Sequence, residues 1–190
     1  MKNNPDKKPK DFEIGEKEKQ CLTAKFKIMH SKIFQITKVQ VVDEDCFLNE
    51  NTLEQGDSSY YDYCSEIDDE EREEHIAYLV ENILPEGMFD LISENTMRYN
   101  GGAEQWKETF IADVRKKAEA ITTDNVLEWI GPVYRLEQTL KNPLDTGYMF
   151  YMDEEGWQSY AEFSYAFMRY VCELEVGTLL YIGGVIDYHF

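Results

Sequence analysis

The hydrophobic pattern of the chain changes period several times. Leu22, Ala24, Phe26 and Ile28 alternate with Thr23, Lys25 and Lys27, a two-residue repeat that predicts a strand, and a second strand is expected from about Ile33 to Val42. With His30 and Ser31 between them, the two read as an antiparallel hairpin. The repeat then lengthens. Ile76, Leu79, Val80, Ile83 and Leu84 follow helical spacing and predict a helix over 66–84, with Ser65 as N-cap and Pro85 and Gly87 as its stop. Met88, Phe89, Leu91 and Ile92 suit a short helix or a buried strand, and helix is the preferred reading of 88–99.

Gly101 and Gly102 break the chain before a helix expected over 103–121, striped with Trp106, Phe110, Ile111, Val114, Ala118 and Ile121. Asp124 caps a further short helix to Trp129, and Val133, Leu136 and Leu140 continue with helical spacing to Pro143. A strand is expected over 147–152. Ser159 and Glu162 form a capping box for a helix ending near Val176, with a strand as the alternative reading of 160–176. That helix is apolar nearly all round, which places it in the core or in an oligomer interface, so a homodimer is compatible with it. Finally, 178–182 and 185–190 are β-branched and aromatic runs around Gly183-Gly184, read as a terminal hairpin, with a glycine bulge in one long strand as the alternative. The expected fold is a single α+β domain over 21–190, with antiparallel β-hairpins at both ends and amphipathic helices between them. A flexible Lys-rich arm, 1–20, precedes it.

Charge sharpens this picture. The 190 residues carry a formal net charge of -19, and 43% of them are apolar, enough for a substantial core. Residues 43–90 hold 17 acids against one base, Arg72, a local charge of -16. Such a chain repels nucleic acid and anionic membrane and attracts proteins with basic grooves. No apolar run is long enough to span a bilayer and no secretory leader is evident, so a cytoplasmic location is expected, with Cys21, Cys46, Cys64 and Cys172 as free thiols.

Within the acidic block, helical geometry puts Glu70, Glu74 and Glu81 opposite the apolar stripe, with Glu71 beside them. Asp69 and Glu73 add to the same field. Just upstream, Tyr60 and Tyr61 interleave with Asp57, Asp62 and Glu66, joining amphipathic rings to negative charge. These eleven residues are the candidate partner-binding set. Asp43, Asp45 and Glu54 match positions 1, 3 and 12 of a calcium loop, but Phe47 and Leu48 occupy the places of a ligand and the obligatory glycine. The histidines His30, His75 and His189 fit no metal or nucleophile signature, and the glycine pairs lack the Lys and Ser/Thr of a phosphate loop. No catalytic residue, metal or cofactor is expected.

Clustered acids, abundant aromatics and the lack of catalytic motifs together resemble the acidic, DNA-mimicking anti-restriction and anti-CRISPR inhibitors of phages and mobile elements. The resemblance is one of character, without a shared motif. It implies an inhibitor that enters the basic nucleic-acid channel of a nuclease such as Cas9 or a restriction enzyme. The alternative is an interaction module that docks a basic protein without competing with nucleic acid.

Overall fold

The computed structural model describes residues 30–43, 46–152 and 160–189. Alternation along Ser31–Thr37 becomes strand β1: Ile33 faces one side of the sheet, and Phe34 and Ile36 face the other. The remaining strands are β2 (Tyr63–Glu66), β3 (Phe89–Ser93), β4 (Thr96–Tyr99), β5 (Met149–Tyr151) and β6 (Leu179–His189). The helices are α1 (Asp69–Tyr78), continued by a π-helical turn at Leu79–Ile83, α2 (Ala103–Glu119), α3 (Pro132–Lys141) and α4 (Ser164–Val171). They build an α+β domain around one mixed six-stranded sheet ordered β3-β4-β6-β1-β5. β4 and β2 both pair antiparallel with β6, at its two ends, while β1 pairs antiparallel with β6 and parallel with β5.

The sheet is covered on both faces. On one, Ile76, Leu79 and Leu84 meet Phe167, Met168 and Val171 of α4 over Phe34, Ile36, Met97 and Ile182. On the other, Leu48, Leu53 and Tyr61 from the irregular segment before β2 pack on Ile33, Ile186 and Tyr188. Five residues of a regular α-helix span roughly 140° of rotation, so Leu79 and Leu84 would face apart. The wider π turn, closed by Leu84 N–H donating to the Leu79 carbonyl at 2.9 Å, brings both into the core.

Several expectations need correction. Residues 63–66 are strand, so α1 begins later than expected and is capped by Asp68, whose carboxylate accepts from Glu71 N–H at 2.8 Å, and not by Ser65. The segment 88–99 is the hairpin β3–β4 and not a helix, because Met97 and Tyr99 alternate inward and β4 bonds to β6. The stretch 122–130 forms turns held by the Asn125 side chain, which accepts from Thr122 N–H and donates to the Ala120 carbonyl. α4 starts at Ser164, since Glu162 is bridged to Phe150, and it is amphipathic, exposing Tyr165 and Arg169. β1 ends at Thr37, leaving Val39 and Val42 exposed. The first strand of the N-terminal hairpin, the arm 1–20 and Ser159 lie outside the described residues.

The terminal hairpin is replaced by one strand. β6 runs straight through Gly183-Gly184, and its register against β1 shifts between Phe34 and Ile36. The glycines are there for proximity. A Cβ on Gly184 would lie 1.9 Å from the Leu48 carbonyl oxygen, and one on Gly183 would lie 2.2 Å from Gln35 Oε1. That oxygen accepts from the N–H groups of Gly184 and Leu48, while Gln35 Nε2 donates to the Cys46 carbonyl, so one side chain ties the crossing segment to the bulge.

Candidate partner-binding surface

The acidic surface rests on an inner layer of opposite charge. Lys32 and Asp187 are cross-strand partners in β1 and β6, on the side of the sheet that α1 covers. Lys32 Nζ donates to Asp187 Oδ1 at 2.8 Å and reaches Glu71 Oε1 at 2.9 Å, and it is only 10% exposed. Burial opposes its charge, but the two carboxylates outweigh burial and hold its pKa above the usual lysine value. His75, one helical turn after Glu71, shares that carboxylate at 3.6 Å and meets the Tyr148 hydroxyl at 2.8 Å. Burial, followed by the Lys32 charge, lowers its pKa. At the far end of the cluster His30 bonds Asp187, and the Tyr63 ring lies stacked on His189, which pairs with Asp62.

Arg72 is the only base in the acidic block, and it points inward. Its guanidinium donates to the carbonyls of Ile182 at 3.0 Å and Gly183 at 2.7 Å, at the point where the register of β6 against β1 shifts. Burial lowers its pKa against the pull of Asp69, Glu73 and Glu94, yet an arginine remains charged at that depth. The one cation of the block thus makes its hydrogen bonds to the backbone and not to the outer carboxylates.

Outside, Glu66 ends β2, Asp69 and Glu70 occupy the first turn of α1, Glu73 and Glu74 the next, and Glu81 the π turn; all are exposed. With Asp57 in the preceding loop, they make seven carboxylates that enter no ion pair among the described residues. Asp62 is exposed but bonded to His189. Two expected members turn inward. Glu71 belongs to the Lys32 cluster, and Tyr61 is 1% exposed, its hydroxyl accepting from Ala161 N–H at 3.0 Å; burial pushes its pKa up to about 12. Tyr60 is half exposed and, with Tyr160, Phe163 and Tyr165, lines a cleft of about 600 Å³.

The Lys32–Asp187–Glu71 cluster was missed in the sequence, although a lysine in the strand Ser31–Thr37 and an aspartate in an aromatic strand are visible signals of a buried pair. Among the described residues no group of His, Cys, Asp and Glu is placed to hold a metal, and no helix is long and apolar enough to cross a membrane. Cys46, Cys64 and Cys172 are free. Compared with protein-family models, curated proteins and solved structures, the chain matches none.

Proposed function

We propose that the protein is a cytoplasmic, non-catalytic inhibitor that occupies the basic nucleic-acid channel of a DNA-binding nuclease, a CRISPR effector such as Cas9 or a restriction enzyme, and so blocks DNA binding or cleavage. The observation that carries this reading is the inward turn of Arg72, which leaves Glu66, Asp69, Glu70, Glu73, Glu74 and Glu81 outward without a counter-ion among the described residues. Charge density supports it. Asp69 to Glu74 rises roughly 7.5 Å along the helix, so its four outward carboxylates fall about one every 2.5 Å, between the ~1.7 Å axial spacing of duplex charge and the ~3.4 Å of one strand. A channel lined to hold phosphates meets a comparable field here. The aromatic cleft beside Tyr60 offers ring faces on which an arginine of such a channel can stack.

The test is a nuclease-protection panel of restriction and CRISPR enzymes, run with wild type and with Glu70, Glu74 and Glu81 replaced together by Gln. Wild type should protect the DNA, less so as salt rises, because exposed charges are screened over about 8 Å at physiological ionic strength. The triple variant should associate at least about tenfold more slowly, while keeping its fold and gaining up to about 0.5 kcal/mol by loss of the Glu70–Glu74 repulsion. Protection by no wild-type reaction, or equal protection by the variant at every salt concentration, would leave the plain docking module as the better reading.

A further inference from the structure

A second surface has the opposite character. α2 buries only Ala103 and α3 buries no residue at all. The two helices touch each other, with Lys117 Nζ donating to Thr139 Oγ1 at 2.7 Å; within α2 Trp106 stacks on Phe110 and packs on the core, but two helices cannot enclose the rest of their apolar stripes. At the turns joining them Leu127 is 93% and Trp129 91% exposed, with Val126 and Ile130 beside them and Ile111 and Leu140 on the helices all well exposed. A lone exposed leucine is ordinary; this many large apolar side chains on one stretch are not.

Charge and area identify the occupant. Residues 103–141 carry six bases and seven acids, while the chain as a whole carries -19. Two copies repel each other across their acidic surfaces and can approach where the charge is nearly cancelled. The exposed part of the six apolar side chains amounts to roughly 700 Å², within the ~600–1,000 Å² that one partner contributes to a standard interface. Arg115 and Lys116 lie exposed on the same stretch as Glu119, Asp124 and Glu128, so a two-fold contact can set opposite charges against one another around an apolar centre.

We infer that α2, the turns at 120–131 and α3 form a self-association surface, and that two copies join through a two-fold contact centred on Leu127 and Trp129. The dimer holds both acidic surfaces outward. Its salt response is opposite to that of target binding: screening relieves repulsion between the copies without weakening the apolar contact. This inference stands whether or not the target is a nuclease.

Light scattering and sedimentation at about 1–100 µM protomer, in about 0.15 and 0.5 M NaCl, test it. Wild type should have twice the 22.4 kDa chain mass, no less so at the higher salt. The double variant Leu127→Asp and Trp129→Asp should be monomeric with an unchanged circular dichroism spectrum. Each lost anchor enters a two-fold interface twice, so dimerisation should weaken roughly 10³-fold. A wild type monomeric at the top concentration, or a double variant as dimeric as wild type, overturns the proposal. So does a monomeric wild type that sediments with phosphatidylcholine vesicles, which would assign the patch to a membrane surface.

Discussion

The acidic surface and the α2–α3 surface are equally open to solvent but are supported in different ways. Beneath the outer carboxylates lies a second layer in which Lys32 and Arg72 bind a carboxylate and two carbonyls of β6, and His75 meets the Glu71 carboxylate of α1. Leu127 and Trp129 lie in turns and are almost fully exposed. The difference shows where each surface draws its shape. The first is fixed by buried polar bonds, so its charges are presented on a rigid face. The second presents apolar area that the fold does not need, and removing that area should leave the domain intact.

The sharpest way to break this contrast is at Lys32. Lys32→Met leaves Asp187 and Glu71 without their shared cation, which should cost about 3 kcal/mol, the low end for a buried pair because Glu71 is partly exposed and Asp187 keeps His30. Urea unfolding should show that loss, whereas Trp129→Ala at concentrations where the chain is monomeric should change stability by less than about 0.5 kcal/mol. Equal losses from the two variants would erase the distinction between a supported and an unsupported surface.

A smaller effect is expected at Arg72. Arg72→Met removes the donors to Ile182 and Gly183 and should cost about 2 kcal/mol, the size of a lost hydrogen bond to a charged group. It should also make the outer face more negative by one charge. Lower stability together with faster, more salt-sensitive association with a basic target would show that the arginine serves the fold while its charge, felt by Asp69 and Glu73, still tempers the surface.

The smallest effect lies in pH. The pKa of His75 is lowered in the fold, first by burial and then by Lys32, so the folded state binds fewer protons there than the unfolded chain does. Stability present above the ordinary histidine pKa of about 6.5 should therefore fall as pH drops through it. A slight decrease in the urea midpoint between about pH 7.5 and 5.5, absent in His75→Gln, checks the sign. Residues 103–141 contain no histidine, so dimerisation should not follow it.

The sequence disclosed these two surfaces unevenly. The apolar stripe of α1 was legible because Ile76, Leu79 and Val80 recur within two turns, and with it the outward position of Glu70 and Glu74. The inward turn of Glu71 was not, since its partner Lys32, and the Asp187 that shares that lysine, lie 39 and 116 positions away, beyond any local period. Tyr61 looked like its neighbour Tyr60, yet strand and loop geometry sent one ring into the core and left the other at the surface. The same limit hid the nature of α2. Its stripe of Trp106, Phe110 and Ile111 predicts a helix correctly, but periodicity reports that a face is apolar and not what covers it. Gly183-Gly184 misled for a related reason: glycine pairs serve tight turns and close backbone approach alike, and only the position of Leu48 distinguishes the two.

The place of β6 in the sheet has a consequence for synthesis. It is the shared neighbour of β1, β2 and β4, and it follows all of them in the chain. Until residues 179–189 have been made, β1 lacks its main partner, Lys32 has no Asp187, and Arg72 has no carbonyls to hold. The growing polypeptide therefore carries its -16 block on an unassembled chain, and the surface takes shape in one late step of long-range pairing, the kind of closure that is slow because distant segments must meet first. A target meeting the nascent protein would encounter charge without geometry.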